Sequence, residues 1–470
     1  MTISLTAAKL NSCDRERIHV PSSIQPHGLM LIADPDGLYV RHVAGWVERR
    51  LGMTDWLDRP LSALIGEALH DQIRGLVEDA MVGGFVGELQ AATGETLSVS
   101  TYMSPPYVVV ELETACPERQ PASFMMDRLA AAAASFERTP SLTLLCEQAT
   151  AEFRHLTGFD RVMAYHFLAD GAGTVLAEDK RPHLHSYLNQ HFPASDIPIQ
   201  ARALYLRNLS RTIPDASYQP APIRPTWTMP EPLDMSDANL RSVSPVHLQY
   251  LANMGVKASA SFSIVKDRTL WGLIACHHET PRLLPYDLRS TCRLLAGSLG
   301  RQIKAKEEAA AYRQRIRLRS FEDDIVTLLS RESMLDEAPP NHLEEIGRMM
   351  GGTGVAMLRG RDLVLNGVCP TELEVRALNS WLPRGYLDPV FSTSHLSHVY
   401  PPAAAFQAAA SGVLAVILSA DEPWVLLWFR AEQVQTVNWA GNPHKATSAD
   451  PTEVLTPRAS FAAWSETVRG

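Results

Sequence analysis

Cysteine is scarce in this sequence, and very long hydrophobic runs are absent. The 470 residues include six cysteines and no Cys-x-x-Cys pair, so neither a disulfide framework nor a zinc site is indicated. The longest hydrophobic runs, such as GVLAVILSA at 412–420, are about half as long as a membrane-spanning helix. The N-terminus lacks the basic stretch and apolar run of a secretory signal. We therefore expect a cytoplasmic protein that does not contact a membrane.

Positive charge is also in deficit. Lys and Arg number 43 against 52 Asp and Glu, which gives a net charge of -9. Binding to nucleic acid needs clustered basic residues, so a nucleic-acid partner is not expected. The chain contains neither a phosphoacceptor His box nor a nucleotide-binding Gly-rich run, because MGGTG at 350–354 is too short and isolated to count. No kinase activity is expected from these residues.

Length and patterning predict about three α+β domains. Apolar stretches at 28–34 and 105–113 indicate strands, and residues 60–81 show a helical pattern. After a polar, Pro-containing linker at 115–123, a second set of strands is predicted at 160–168, 174–180, 260–265 and 270–279, with a Pro-rich loop from about 210 to 240. Long loops inside compact domains are usually functional.

The segment from Tyr286 to about Ser333 predicts one long helix. Apolar residues recur there at three- and four-residue intervals, with charge runs on the other faces. This pattern is typical of a helix that joins domains or pairs with a second copy. Beyond it, strands at 355–360, 362–367, 412–420 and 424–430 predict a third α+β domain. Antiparallel sheets flanked by helices on a helical spine suggest a signalling rod.

Four sequence blocks resemble the bacteriophytochromes. They are CDRERIHVPSSIQPHG at 13–28, FPASDIPIQARALYLRN at 192–208, RSVSPVHLQYLANMGVKAS at 241–259 and LWGLIACHH at 270–278. WAGNPHK and PRASFAAW further resemble the hairpin, or tongue, of the PHY domain. The resemblance covers the chain as a PAS domain with an N-terminal extension (1–118), a GAF domain (125–305) and a PHY domain (306–470) whose tongue spans about 434–466.

The resemblance implies a covalently bound pigment, biliverdin IXα. Cys13 would form a thioether with it. The nearby Arg15, Arg17 and His19 either favour the thiolate through their positive charge or are simply solvated residues. Leu248 stands where plant and cyanobacterial members have their attachment Cys, which favours biliverdin. Without the motif, Cys13 would be a free surface thiol.

A linear tetrapyrrole needs a mostly apolar pocket with a few placed polar groups. By resemblance, Arg211 and Arg241 would clamp one propionate, and Ser259 and Ser261 would hydrogen-bond the other; the alternative is that one arginine is an ordinary surface residue. Histidines 247 and 277 would face the pyrrole nitrogens and the ring D carbonyl, with core packing as the alternative. The remaining residues implied to bind the pigment are Tyr165, Phe192, Asp196, Ile197, Tyr205, Ser244 and Tyr250.

The implied switch lies in the tongue, with Trp439, Arg458, Ser460 and Trp464. Arg458 would pair with Asp196 in one state, and Ser460 would replace it after the tongue refolds from hairpin towards helix. Two substitutions depart from the family pattern. His166 stands where Arg is common, and Ala440 replaces a Gly, which predicts a stiffer tongue.

The implied function is a red/far-red photoreceptor that interconverts Pr and Pfr by Z/E isomerisation at C15=C16. The sequence ends six residues after Trp464, so we expect an excised, C-terminally truncated sensory module rather than an enzyme, from a parent that carries a histidine kinase. Its partners would be a second copy, through the long helix and GAF domain, and a downstream output or response regulator. Two alternatives stay open at this point: a GAF-type sensor of a dark small ligand, and a dimerisation scaffold without photochemistry.

Overall fold

The computed structural model describes residues 16–79, 83–115, 122–330, 338–382, 389–419, 424–443 and 460–469. The chain forms two compact units. One comprises residues 1–306 and 438–464, and the other comprises 307–437 and 465–470. Both contain antiparallel sheets flanked by helices, so the predicted α+β fold class is confirmed. Cys13 and Arg458 lie outside the described residues.

The first domain is a five-stranded antiparallel sheet with three helices. Its elements are β1 (Ser23–Ile24), β2 (Gly28–Ala33), β3 (Val40–Ala44), α1 (Val47–Leu51), α2 (Leu61–Ile65), α3 (Glu67–Glu78), β4 (Gly83–Gln90), β5 (Thr96–Ser104) and β6 (Tyr107–Thr114). The strand order is β3-β2-β6-β5-β4. The two predicted strands are confirmed as β2 and β6. The helical pattern over 60–81 forms two helices, because Gly66 has φ +83° and ends the first of them.

The second domain surrounds a long mixed sheet. Its elements are α4 (Ala122–Arg138), α5 (Leu142–Thr157), β7 (Arg161–Phe167), β8 (Gly173–Lys180), β9 (His191–Phe192), α6 (Ile199–Arg207), β10 (Ser210–Ile213), β11 (Ala221–Pro222), α7 (Pro245–Asn253), β12 (Ala258–Lys266), β13 (Thr269–His278) and α8 (Tyr286–Leu329). The sheet runs β10-β12-β13-β7-β8-β9 and continues into two strands from near the end of the chain.

The long helix predicted from Tyr286 is confirmed as α8, which ends at Leu329. Cys292, Leu295, Leu299 and Ile303 are fully buried in the core of the second domain. Their three- and four-residue spacing places them on one face of the helix, as the sequence predicts.

The remaining elements form another five-stranded sheet and the two late strands. They are α9 (Ala338–Asn341), α10 (Leu343–Met349), β14 (Gly354–Arg359), β15 (Asp362–Gly367), α11 (Glu372–Trp381), β16 (Val390–Thr393), α12 (Leu396–Val399), β17 (Gly412–Ser419), β18 (Trp424–Arg430), β19 (Val434–Ala440) and β20 (Ala463–Arg469). The order is β15-β14-β18-β17-β16, with apolar clusters on both faces.

The N-terminal segment passes between two arms of the loop that precedes α7. On one side, Ser23 and Ile24 pair with Pro222 and Ala221. On the other, the Gln25 amide donates to the Leu240 carbonyl at 2.8 Å. Arg211 closes the loop by donating to the carbonyls of residues 239 and 241. The Pro-rich loop predicted at 210–240 is therefore an ordered structure that encloses residues 23–25.

We predict that Gly28→Ala weakens this arrangement. An added Cβ would lie 2.6 Å from the Leu240 methyl carbons and 2.9 Å from the Leu112 carbonyl oxygen, and crowding of this kind costs about 1–3 kcal/mol. Urea denaturation should show that loss in the free energy of unfolding. Gly75→Ala in α3 is the control, since nothing lies within 4 Å of its Cβ, and it should gain up to about 1 kcal/mol. An unaffected Gly28→Ala protein would contradict the close packing.

Candidate functional site

One face of the second domain's sheet carries the predicted polar residues. In β12, Ala258, Ala260 and Phe262 face the core, so the intervening serines 259, 261 and 263 face the other way. The strand register places Arg211, Ser261 and Ala275 in one row, and Ile213, Ser259 and His277 in the next. Five predicted positions, including Tyr165 on β7, thus lie on one face because side chains alternate along each strand.

Arg211, which is half-buried, and Arg241, which is buried, are two cations close together. Arg211 donates to the Asn239 carbonyl at 3.0 Å and to the Arg241 carbonyl. Arg241, which is 7% exposed, donates to the carbonyls of Met235 and Ser236 at 3.0 and 3.1 Å. Burial and then the neighbouring Arg211 lower the pKa of Arg241 to about 9.

Within the described part of the chain, neither guanidinium forms a salt bridge with a carboxylate. A buried charge is costly unless it is paired. The donor set therefore suits an anionic ligand, and a pigment with two carboxylates fits it. Arg is the residue best suited to bind such groups, because its planar fork meets a carboxylate through two hydrogen bonds.

His247 and His277 are neutral histidines of the same interior. Burial and then Arg211 lower the pKa of His247 to about 4, while burial followed by Arg161 and His247 lowers that of His277 to about 3. Both side chains are half-buried. The buried Nδ1 of His277 has no hydrogen-bond partner, which leaves a polar atom for a ligand to satisfy.

An aromatic cluster lies beside these residues. Tyr165 is 6% exposed and its ring lies 5.8 Å from that of Phe192, which is 5.8 Å from Tyr187. Both contacts are edge-on, a favoured arrangement for aromatic rings. Ile197 and Tyr205 pack against the same cluster. Ser263 donates to the Tyr205 carbonyl at 2.7 Å and holds α6 against β12.

Asp196 lies in a 3₁₀ turn before α6. The Tyr250 hydroxyl donates to its carboxylate at 3.0 Å, and His247 stacks on Tyr250 with ring centroids 5.9 Å apart. Arg202 stabilises this turn by donating hydrogen bonds to the carbonyls of Ile197 at 2.8 Å and Gly171 at 2.5 Å. Asp196, Tyr250 and His247 are therefore brought together as a connected group.

Residues of the late strands reach the same cluster. Trp439 pairs with His191 in parallel register, and their rings lie 5.7 Å apart. The Phe461 ring contacts Tyr250 edge-on at 4.9 Å. Ala440 is fully buried and ends β19, while Gly441 supplies the positive φ of +88°. Because no left-handed backbone is needed at residue 440, the argument for a stiffer tongue does not hold at this position.

Two further predicted tongue positions lie near the end of the chain. Ser460 is exposed, and its hydroxyl accepts a hydrogen bond from the Ala462 amide at 3.3 Å. Trp464 is half-buried on β20. The pairing of Asp196 with Arg458 or Ser460 stays a prediction.

The N-terminal extension touches the site at Ser244. This residue precedes α7, the helix that carries His247, and its hydroxyl donates to the Glu16 carboxylate at 2.8 Å. Cys13 lies outside the described residues, but it is three positions before Glu16.

Sequence reasoning missed several residues that shape the site. An added Cβ at Gly173 would lie 1.9 Å from the Tyr165 ring, so the glycine makes room for the tyrosine. Tyr187, Arg202 and Phe461 were also missed, since their contacts join distant segments. Ser263 had a readable signal, because it continues the alternation of small polar residues in β12. His166 stacks on Trp271 with ring centroids 4.2 Å apart, and its Nδ1 donates to the Trp271 carbonyl at 2.9 Å, which gives it a packing role.

Comparisons with known proteins agree with this geometry. Family models match the PAS fold over residues 13–115, the GAF domain over 141–305 and the phytochrome region over 318–470. Cyanobacterial phytochrome B of Nostoc sp. is 36% identical and covers 98% of this chain. The structure of a bacteriophytochrome from R. palustris is 36% identical, covers 97% of this chain and 93% of that one, and has a TM-score of 0.84. The chain belongs to the bacteriophytochromes.

The predicted order of PAS, GAF and PHY domains is thereby confirmed, whereas the predicted boundaries stay predictions. The Stigmatella aurantiaca phytochrome photosensory core module is also similar, at 35% identity with a TM-score of 0.81, over 100% of this chain and 94% of that one. This bacteriophytochrome chain spans 63% of the length of the Nostoc relative. No helix among its described residues is long and apolar enough to cross a membrane.

We predict that the pigment-free bacteriophytochrome loses stability in acid through its pocket histidines. Their pKa values in the fold lie below the ordinary 6.5, so the unfolded chain binds protons first. The stabilising contribution is complete above about pH 6.5 and is lost as the pH falls towards the folded values. His277→Gln should reduce the drop in unfolding free energy between pH 7 and 5 by about 1–2 kcal/mol. Denaturant titrations at both pH values measure it, and an identical drop in the variant would contradict the neutral, buried state.

Proposed function

We propose that this chain is a red/far-red photoreceptor that binds biliverdin IXα covalently through a thioether to Cys13. The observation that carries the proposal is the pair of guanidiniums of half-buried Arg211 and buried Arg241, neither of which forms a salt bridge with a carboxylate in the described part of the chain. Few cellular ligands combine a long apolar body with two carboxylates, and a linear tetrapyrrole does. The family membership supports the same reading.

When bound, biliverdin supplies red-light absorption and Z/E isomerisation of its C15=C16 double bond. Arg211 and Arg241 would bind one propionate, and Ser259 and Ser261 would hydrogen-bond the other. The neutral imidazoles of His247 and His277 can each donate or accept a hydrogen bond towards the polar ends of the pigment.

The aromatic cluster would border the isomerising ring. Tyr165, Phe192 and Tyr205 form apolar walls, and Phe461 links those walls to the tongue through Tyr250. Asp196 would relay a rearrangement, since Tyr250 donates a hydrogen bond to its carboxylate. The residues after Ser460 lead into β20, which pairs with β19. A tongue with two alternative pairings is the bistable element that a switch requires.

The output would lie outside this chain. We propose that the tongue and α8 pass the change to a histidine kinase module of a longer parent protein and so to a response regulator. The chain itself would be a sensory module rather than an enzyme.

Biliverdin addition tests the proposal. The purified chain should acquire a red-absorbing band, and the pigment should stay attached after denaturation. Cys13→Ala should bind the pigment but release it on denaturation, because the thioether cannot form. Cys369→Ala, which removes the half-buried thiol of the third domain, is the control and should keep full attachment. Absence of any bound pigment would favour a GAF-type sensor of another ligand, and attachment in Cys13→Ala would refute the role of Cys13.

We also propose a homodimer through α8 and the GAF domain. Leu294, Tyr312 and Ile316 are 60%, 62% and 50% exposed. Because 18 residues make five helical turns, Leu294 and Tyr312 lie on the same side of α8, and Ile316 lies one turn further. An exposed apolar stripe of this kind is typical of a helix that pairs with another.

Ile316→Glu should weaken the dimer about tenfold or more, since it places a charge in the apolar stripe. Sedimentation equilibrium over a range of protein concentrations measures the dissociation constant. Gln314→Glu is the matched control, because residue 314 is exposed on the far side of the helix, and it should leave the constant unchanged. A wild-type chain that is monomeric at high concentration would contradict the proposal.

A further inference from the structure

Strand β6 presents two buried carboxylates on one face. Glu111 and Glu113 are 1% and 3% exposed, and their spacing of two residues places both side chains on the same side of the strand. Glu113 is paired with Arg289 of α8 through two hydrogen bonds of 2.6 and 2.7 Å, and with His27 at 3.7 Å. Its charge is therefore compensated.

Glu111 has a different set of partners. Its carboxylate accepts hydrogen bonds from the Leu240 amide at 2.8 Å and from the Asn239 amide at 3.0 Å, with the Asn239 side chain at 3.3 Å. All three donors belong to the loop before α7. A carboxylate of the PAS domain thus holds two consecutive peptide groups of the GAF domain.

The same loop residues orient Arg211. Its two hydrogen bonds go to the carbonyls of Asn239 and Arg241, which flank the amides that Glu111 binds. The side chain of Leu240 is fully buried against β2 and β6, so this short segment is fixed by its side chain, its amides and its carbonyls. Of these three attachments, the one through the amides depends on the ionisation of a side chain.

We infer that Glu111 is a positioning residue for the arginine pair: by holding the amides of residues 239 and 240, it fixes the carbonyls that aim Arg211 at a pigment carboxylate. The inference rests on the proposed function for the identity of the ligand. The claim about the loop itself can be tested without pigment.

Electrostatics make Glu111 the carboxylate that takes up a proton. Burial and then Glu113 raise the pKa of Glu111 to about 7. Burial also opposes ionisation of Glu113, but Arg289 outweighs it and the pKa of Glu113 falls to about 2. Two carboxylates whose surroundings separate their pKa values take different roles. The charged and titratable groups that face this pair from the surrounding elements are Tyr102, Arg211, Arg241, Arg289 and His27, with Asp234 and Asp237 near Tyr102.

The sign of the effect follows from proton linkage. Opening the loop exposes Glu111 to water and returns its pKa towards the ordinary value of 4.5, so the closed loop binds the proton more tightly than the open loop. The closed state is therefore favoured below pH 7, and the loop should open more often above it. The pocket histidines stay neutral in the closed chain across this window, and protons that they take up on opening would act in the opposite direction.

Hydrogen exchange of the pigment-free chain tests the loop directly. After correction for the intrinsic effect of pH, the amides of Asn239 and Leu240 should be roughly tenfold better protected at pH 6 than at pH 8.5, because the closed loop binds the Glu111 proton more tightly than the open loop. Glu111→Gln should abolish that step. Glu95→Gln is the matched control: it makes the same charge change in the same domain, where Glu95 pairs with Arg50, and it should retain the step. No step in the wild type, or an unchanged step in Glu111→Gln, would overturn the inference.

Biliverdin binding supplies the second readout. Association with the wild type should be faster at pH 6, where the loop is ordered, than at pH 8.5, and Glu111→Gln should bind at one rate across this range, near the wild-type rate at pH 6. If Glu111→Gln is recovered unfolded, Glu111→Asp replaces it in both measurements. A pH step in hydrogen exchange that is shifted or absent in Glu111→Asp supports the inference, and an unchanged pH step overturns it. A wild type that shows the exchange step but binds no biliverdin at any pH would reject the proposed function while leaving the role of Glu111 in the loop intact.

Discussion

The backbone hydrogen bonds that hold residues 23–25 inside the loop before α7 are the constraint on which the pocket depends. They attach the PAS domain to the GAF domain through the N-terminal segment, which is itself paired on both sides. The loop cannot open widely while that segment lies in it. Arg211 and Arg241 are therefore presented from an ordered backbone, and Glu16 is brought to Ser244 at the start of the helix that carries His247.

Electrostatics then distinguish the pocket from an ordinary core. Two cations are buried side by side, and two histidines are held neutral by the same burial. A pocket that binds only neutral molecules gains nothing from buried guanidiniums, because their desolvation is expensive. A ligand that supplies the missing negative charge offsets this desolvation cost. The two arginines thus indicate the kind of ligand expected, which is anionic on one side and apolar along its length.

Local patterns in the sequence predicted most of the elements. The alternation of small polar and apolar residues in β12 and the three- and four-residue spacing in α8 specify strands and helices through nearest neighbours alone. The blocks around Cys13, Asp196 and His247 indicated the family, and so the pocket residues. The break at Gly66 was not foreseen, because a helical pattern does not report a positive φ.

Contacts between distant segments were beyond the reach of that reasoning. Nothing in the sequence around Glu111 indicates that its carboxylate accepts a hydrogen bond from residue 240. The need for a glycine at position 173 is likewise visible only when Tyr165 is packed against it. The threading of residues 23–25 is likewise set by pairing across about 200 positions. The expected stiffening by Ala440 has a local explanation instead, since the neighbouring Gly441 takes the positive φ.

Reversible photoconversion is the central claim, and alternating illumination measures it most directly. The biliverdin-loaded chain would be exposed in turn to red and far-red light while its absorption spectrum is recorded. The account predicts two bands that exchange intensity over repeated cycles. A pigment-loaded chain whose spectrum does not change with light, or changes once and never returns, would contradict it.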